Sequence, residues 1–215
     1  MTKLLISLTL AITSICWISP VKKTPAIYQL TIFQYKDSVQ EKTLETYFEQ
    51  ALLPALHKLE YNQVGVFKSW ANDTSAVKKI YVLVAGKSMD ELNGIKDKLA
   101  KDGAYLDKGK AYLDAIYTSA PYYRIETIYL KAFSMAPELT LPALKGPKSE
   151  RVYELRSYES ATEKIFRNKV HMFNEGGEIA LFKRLNFNAA FYSEVIAGSK
   201  MPNLMYMTCF ENMTD

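Results

Sequence analysis

The chain has 215 residues, of which 48% are hydrophobic and 23% are charged, a composition typical of a globular protein that buries a real core. The formal net charge is +4. Because basic and acidic residues are interleaved along the chain, the charge pattern argues against nucleic acid as a partner. Length alone permits one large domain or two small ones.

The first residues are typical of an export signal. Lys3 precedes residues 4–18, which carry no charge, and Pro20 follows them. A basic start and about fifteen apolar residues match a secretory signal peptide, and the run is shorter than the roughly twenty residues of a membrane span. We therefore predict a signal peptide over residues 1–22 and an exported protein, periplasmic or extracellular, without a transmembrane segment after its removal. An uncleaved anchor and a buried core segment are the alternatives.

The cysteines exclude an intrachain disulfide from the mature chain. Cys16 lies in the targeting segment, and Cys209 is the only other cysteine. The stability of the exported chain must then come from core packing.

The central feature of the remaining sequence is an internal repeat. Residues 27–35 and 152–158 both read as strands rich in aromatic and β-branched residues. At an offset of 125 residues, Tyr28 falls on Tyr153 and Leu30 on Leu155, so one face of the strand matches in both copies.

A helix with a break in the middle follows each strand. Apolar residues recur at helical spacing over residues 44–59 and 165–185. Pro54 interrupts the first helix, and Gly176-Gly177 interrupts the second. Both breakers predict a bent or divided helix.

The match continues at an offset of 124 residues, with residues 65–67 on 189–191 and residues 80–85 on 204–209. In the first copy a helix capped by Ser88 and a strand over residues 123–130 follow, which completes the β-α-β-β-α-β order of a ferredoxin-like unit. We predict an α+β fold with a first repeat over residues 23–135, a linker over 136–150 and a second repeat over 151–215.

The second repeat lacks the residues for its last helix and strand. The match to Ser88 falls at Asn212, three residues before Asp215. We expect either a truncated chain, which is the favoured explanation, or another subunit that supplies the missing layer, because a bare sheet edge and an apolar face would otherwise be exposed.

These residues resemble the NIPSNAP family. The resemblance rests on residues 153–158, on the helix that carries His171, on Phe191 and on residues 205–207, and the first repeat resembles a more diverged copy. It implies a dimeric α+β barrel in which two ferredoxin-like units pack sheet against sheet, here from one polypeptide, and it favours a homo-oligomer. The family has no settled activity, and the wider barrel superfamily includes cofactor-independent monooxygenases, haem-degrading enzymes and isomerases.

Three residues are candidates for catalysis. His171 has Glu175 one helical turn away, which permits an imidazole–carboxylate contact, and Arg156 on the first strand of the second repeat suits a carboxylate ligand. The alternative is that His171 lies on the surface and that Arg156 pairs with Glu154 on a solvated face. The spacing of residues predicts neither a cofactor nor a metal site.

The sequence thus leaves two functional hypotheses. The first is an exported NIPSNAP-like protein that binds a small apolar or aromatic ligand, or another protein, without strong catalysis. The abundance of tyrosine, with 15 residues, fits such a ligand. The second is a cofactor-independent monooxygenase or isomerase, which would require His171, Arg156 and a tyrosine to converge on an enclosed cavity.

Overall fold

The computed structural model describes residues 23–215, and the predicted signal peptide over residues 1–22 lies outside the described residues. Seven antiparallel strands form one sheet with the order β2-β3-β1-β4-β6-β7-β5. The strands are β1 (Ile27–Tyr35), β2 (Val64–Lys68), β3 (Lys78–Gly86), β4 (Arg124–Ala132), β5 (Val152–Glu159), β6 (Asn188–Ala197) and β7 (Asn203–Phe210).

Helices lie mainly in three segments of the chain, after β1, after β3 and after β5. They are α1 (Ser38–Tyr47), a π-helical turn (Phe48–Leu52), α2 (Leu53–Lys58), α3 (Met89–Asn93), α4 (Ile95–Leu99), α5 (Gly103–Lys108), α6 (Lys110–Leu113), α7 (Glu163–Asn174) and α8 (Glu178–Arg184), with short 3-10 turns at Trp70–Asp73 and Tyr117–Ser119. Within residues 23–215, no helix combines the length and the apolar character needed to cross a bilayer.

The strand order matches the predicted fold class. The first four strands have the order β2-β3-β1-β4 of a ferredoxin-like unit, and the last three have the corresponding order β6-β7-β5. The sheet curls until its two edge strands face each other, since the rings of Phe67 on β2 and Tyr153 on β5 are 4.9 Å apart. This curled α+β fold is barrel-like. That the two halves are repeats of one unit, with the predicted boundaries, stays a prediction.

Both predicted helix breaks coincide with a change in the helix. The helix after β1 passes through the π-helical turn just before Pro54, and this local change of the hydrogen-bond ladder coincides with a residue that has no N–H to donate. After β5, α7 ends at Asn174, and Gly177 has φ of 82°, a left-handed conformation that glycine adopts without strain.

Alternation along the strands divides the core between the two faces of the sheet. On β1, Tyr28 and Leu30 face the concave interior, whereas Phe33 and Tyr35 pack under the helices of the first half. The interior is filled by buried side chains, namely Tyr28, Leu30, Ile32, Leu83, Ile128, Leu130, Ala132, Ala190, Phe191, Val195, Met205, Met207 and Cys209.

The segment between β4 and β5 packs against this interior. Leu139 and Leu144 contact the interior cluster, and the Thr140 N–H donates to the Ala190 carbonyl at 2.8 Å. The carboxylate of Glu211, just after β7, accepts from the N–H groups of Lys145 at 2.8 Å and Gly146 at 2.6 Å. These hydrogen bonds hold the pKa of Glu211 below its usual value.

An aromatic cluster holds α7 and α8 to the second half of the sheet. Phe173 on α7 is fully buried at its centre. Five rings lie within 5.4 to 6.4 Å of the Phe173 ring centroid, namely Phe133, Tyr158, Phe182, Tyr192 and Tyr206.

We expect Phe173→Ala to lower the free energy of unfolding by about 3–5 kcal/mol, because it removes a buried ring and leaves a cavity among its neighbours. Urea denaturation of residues 23–215 measures this. Met172→Ala is the matched control, since Met172 is the preceding residue of α7 and is 42% exposed, and we expect a change within about 0.5 kcal/mol. Equal effects of the two substitutions would contradict the central position of Phe173.

Candidate functional site

Polar side chains gather on the helix-facing side of β5. Glu154, Arg156 and Tyr158 are two residues apart along this strand and so share one face, and Tyr206 of β7 lies directly opposite Arg156. The Nη2 atom of Arg156 donates to Glu154 Oε1 at 2.9 Å, and the hydroxyl oxygens of Tyr158 and Tyr206 are 3.0 Å apart. We call these four residues the Arg156 cluster.

The helix α7 adds a second positive charge above the Arg156 cluster. The Nζ atom of Lys169 lies 5.2 Å from the centroid of the Tyr158 ring, within range of a cation–π contact. Lys169 also forms an ion pair with Glu178 at 3.2 Å. Each cation of the site is therefore paired with a carboxylate, and what distinguishes the site chemically is the pair of tyrosine hydroxyls.

The two tyrosines of the cluster have opposite pKa shifts. The hydrogen bond from Tyr206 and the guanidinium of Arg156 lower the pKa of Tyr158, because both stabilise its phenolate. Burial and the bond to Tyr158 raise the pKa of Tyr206 to about 12. The pair thus gives up its first proton from Tyr158, the more exposed partner. The bond to Glu154 raises the pKa of Arg156, which stays charged.

The structure places the predicted catalytic residues in two separate locations. Arg156 lies in the cluster on β5, and its side chain is 45% exposed. The Nδ1 atom of His171 is 3.2 Å from Glu175 Oε2 near the end of α7, and both side chains are more than 60% exposed. The expected His171–Glu175 contact is therefore present, while Arg156 instead contacts Glu154 and the two tyrosines.

The concave interior offers little polar chemistry. Its walls are the packed apolar side chains described above, and the hydroxyl of Tyr28 is buried there without a hydrogen-bond partner in the described part of the chain. Burial raises the pKa of the Cys209 thiol to about 11, so this cysteine remains protonated and unreactive at neutral pH. No group of three or more His, Cys, Asp or Glu residues suited to a metal ion occurs within residues 23–215.

A cleft opens where the edges of the curled sheet face each other. Two adjoining hollows of about 600 and 400 Å³ lie between β2 and the start of β5, and residues 139–142 of the segment between β4 and β5 form a further wall of the larger one. Both hollows are lined by Phe67, Tyr153 and Met207, and by Lys148 and Arg151 at the start of β5. We call this the β2–β5 cleft, and it combines aromatic walls with positive charge at one end.

The sequence predicted the strand face that carries Arg156, but neither its partner Tyr206 nor the β2–β5 cleft. The spacing of Glu154 and Arg156 indicated a shared strand face, and Tyr158 follows at the same interval. The partner Tyr206 depends on the register of β5 against β7, and the cleft depends on contacts between residues about ninety positions apart, such as Phe67 and Tyr153. No local signal in the sequence carries that information.

Comparisons with known proteins support the fold but no family. No protein-family model matches the sequence, and no curated protein matches it. The structure is similar to the crystal structure of a proposed monooxygenase from Fusobacterium nucleatum subsp. nucleatum, with a TM-score of 0.57 and 8% sequence identity over 89% of this chain and 78% of that chain. At this identity the similarity shows the α+β barrel-like fold alone.

We expect Tyr158 to ionise at a lower pH than an ordinary tyrosine, whose pKa is about 10. Alkaline titration of phenolate absorbance, compared among the parent chain, Tyr158→Phe and Tyr206→Phe, reports the ionisation of the pair, because the loss of either hydroxyl also changes the pKa of the other tyrosine. Arg156→Gln should move the midpoint upward, because the guanidinium that stabilises the phenolate is lost. Arg156→Lys is the control that keeps a positive charge and should recover part of the shift.

The lowered pKa of Tyr158 also makes the stability of the fold depend on pH. Because the pKa of Tyr158 is lower in the folded chain, the unfolded chain binds more protons at a pH between the folded and the unfolded pKa values. The contribution of Tyr158 to stability is therefore present above the unfolded pKa and is lost as the pH falls through the folded pKa. A Tyr158 midpoint at or above 10, unchanged by Arg156→Gln, would contradict the described hydrogen bonding.

Proposed function

We propose that this chain is an interaction protein of the NIPSNAP type, without strong catalysis, and that the β2–β5 cleft is its binding surface. The observation that supports this proposal most directly is that the strands β2 and β5 face each other across an apolar opening with aromatic walls. Concave, mostly apolar openings with a few charged groups at the rim are the usual places where proteins bind ligands or partners.

Two further observations favour binding over chemistry. The concave interior is filled by side chains, and Arg156 and His171 do not meet in an enclosed cavity, as the catalytic alternative required. The strand of the NIPSNAP resemblance, residues 153–158, is β5 itself. Export through residues 1–22 and self-association remain parts of this proposal, the former supported by the apolar run after Lys3.

We expect residues 23–215 to bind an environment-sensitive apolar dye such as anilinonaphthalene sulfonate in the cleft. Tyr153→Ser should weaken this binding at least about fivefold, since burial of an aromatic ring contributes roughly 1.5–3 kcal/mol. Fluorescence titration measures the affinity, and native mass spectrometry of the chain purified without added ligand reveals any molecule that it retains.

The matched control for the dye experiment is Ile116→Ser, which removes an apolar side chain that is 64% exposed and does not line the cleft. Its dye affinity should equal that of the parent chain. Equal dye binding by Tyr153→Ser and the parent would argue against the cleft as the binding surface.

The lowered pKa of Tyr158 favours a second candidate, an enzyme that moves a proton at the Arg156 cluster. In this function the Tyr158 phenolate would act as the base for a small phenolic substrate, and the neighbouring Arg156 would stabilise the charge that develops. The fold similarity to a proposed monooxygenase is compatible with this chemistry.

Oxygen uptake with small phenols and hydroquinones tests the second candidate. If it holds, Tyr158→Phe should abolish turnover, because the phenyl ring keeps the packing but cannot accept a proton. His171→Ala is the matched comparison, since His171 lies outside the Arg156 cluster and should leave the rate unchanged. Absence of turnover in the parent chain would exclude this candidate for these substrates.

A further inference from the structure

A separate hollow lies on the helix side of the first half, between α1 and the pair of helices α5 and α6. Its volume is about 460 Å³, which is within the range of small-molecule sites. None of its lining residues lines the β2–β5 cleft or belongs to the Arg156 cluster. We call this hollow the α1–α6 groove.

Helical spacing builds both walls of the groove. One face of α1 forms the first wall, with residues at the positions i, i+3, i+4 and i+7, namely Val39, Lys42, Thr43 and Thr46. The helices α5 and α6 form the second wall, with residues at i, i+3 and i+4, namely Lys108, Ala111 and Tyr112. The threonine and alanine side chains are short, so the two helices leave a space between them.

Tyrosine rings form an apolar wall of this space. The rings of Tyr47 and Tyr112 are stacked, with centroids 3.9 Å apart and an interplanar angle of 12°. The hydroxyl of Tyr47 is 2.8 Å from that of Tyr105, and the ring of Tyr112 also lies 5.8 Å from that of Tyr122. Contacts on several sides hold these rings in place, so a flat ligand can pack against them without reordering side chains.

The groove carries positive charge without a matching negative charge. Lys42 and Lys108 both line it, and no carboxylate does so in the described part of the chain. Neither lysine forms an ion pair within residues 23–215. The nearest carboxylates along α1, those of Glu41 and Glu45, are both paired with Lys68. The two free ammonium groups therefore favour an anion in the groove.

We propose that the α1–α6 groove binds a small planar aromatic acid, whose ring packs against Tyr47 and Tyr112 and whose anionic group is held by Lys42 and Lys108. Exposed lysines alone contribute little to the binding of an anion, and an uncharged ring would make no use of them. The combination of aromatic wall and paired ammonium groups defines the ligand class. This site goes beyond the proposed function, because it is separate from the cleft and takes a charged ligand.

The probe for this site is 2-naphthoate, and its uncharged counterpart is 2-naphthamide. We would titrate each into residues 23–215 by isothermal titration calorimetry. Saturable binding of one naphthoate per chain is expected, at least about fivefold tighter than that of the amide, because only the carboxylate gains from the two lysines. Its affinity should fall as salt is added, since salt screens charges at exposed positions.

Charge variants identify the groove as the site. Lys42→Gln combined with Lys108→Gln should weaken naphthoate binding at least about fivefold and leave the affinity for the amide unchanged. The matched control is Lys96→Gln combined with Lys164→Gln, which removes the same charge at exposed positions on α4 and α7 outside the groove. This control should bind naphthoate as the parent chain does.

A variant that fills the groove gives a second, independent comparison. Ala111 is exposed on α6, so Ala111→Phe places a ring where the ligand would lie and should abolish binding of both probes. Tyr153→Ser, which alters the cleft, should leave naphthoate binding unchanged. This comparison is needed because the dye used for the cleft is itself an aromatic anion.

Four outcomes would overturn the groove as a site for aromatic acids. They are no saturable binding of naphthoate, equal affinity for naphthoate and its amide, equal affinity of the two lysine double variants, and a loss of binding in Tyr153→Ser that Ala111→Phe does not share. The last of these would place naphthoate in the cleft. None of the first three bears on the proposed function, which depends on the response of dye binding to Tyr153→Ser.

Discussion

The pairing of β4 with both β1 and β6 is the constraint on which the rest of the structure depends. It joins the two halves of the chain into one sheet, and it places Ile128 and Leu130 in the middle of the concave interior. The ion pair between Lys131 and Glu194 at this junction is 3.9 Å long and partly exposed, so it contributes little. Backbone pairing and apolar burial hold the halves together.

Local patterns in the sequence were sufficient to predict the helices and strands and their order along the chain. Strand alternation at Tyr28 and Leu30 identified β1, and its recurrence at Tyr153 and Leu155 identified β5, because side chains on a half-buried strand must alternate. The breakers at Pro54 and Gly177 act through backbone geometry that any context imposes. These features are local, and sequence therefore carries them.

The candidate sites depend on information of a different kind. The junction of β4 with β6 contains a register shift between Tyr129 and Leu130, and such a shift bends the strand and increases the local twist of the sheet. The opposition of Arg156 and Tyr206, and the approach of Phe67 to Tyr153, follow from strand registers over long separations. Arg156 was predictable as a polar residue on a strand, but its tyrosine partners required the register.

The strand β5 contributes to both candidate sites, because its successive side chains point to opposite faces of the sheet. On β5, Tyr153 and Leu155 face the concave side and line the cleft, while Arg156 and Tyr158 face α7. Residues of the two faces are neighbours along the same backbone, so the strand that lines the cleft is also the strand that positions the Arg156 cluster. If a ligand of the cleft changes the ionisation of Tyr158, that ionisation must change the affinity for the ligand by the same free energy, because coupling between two sites is reciprocal.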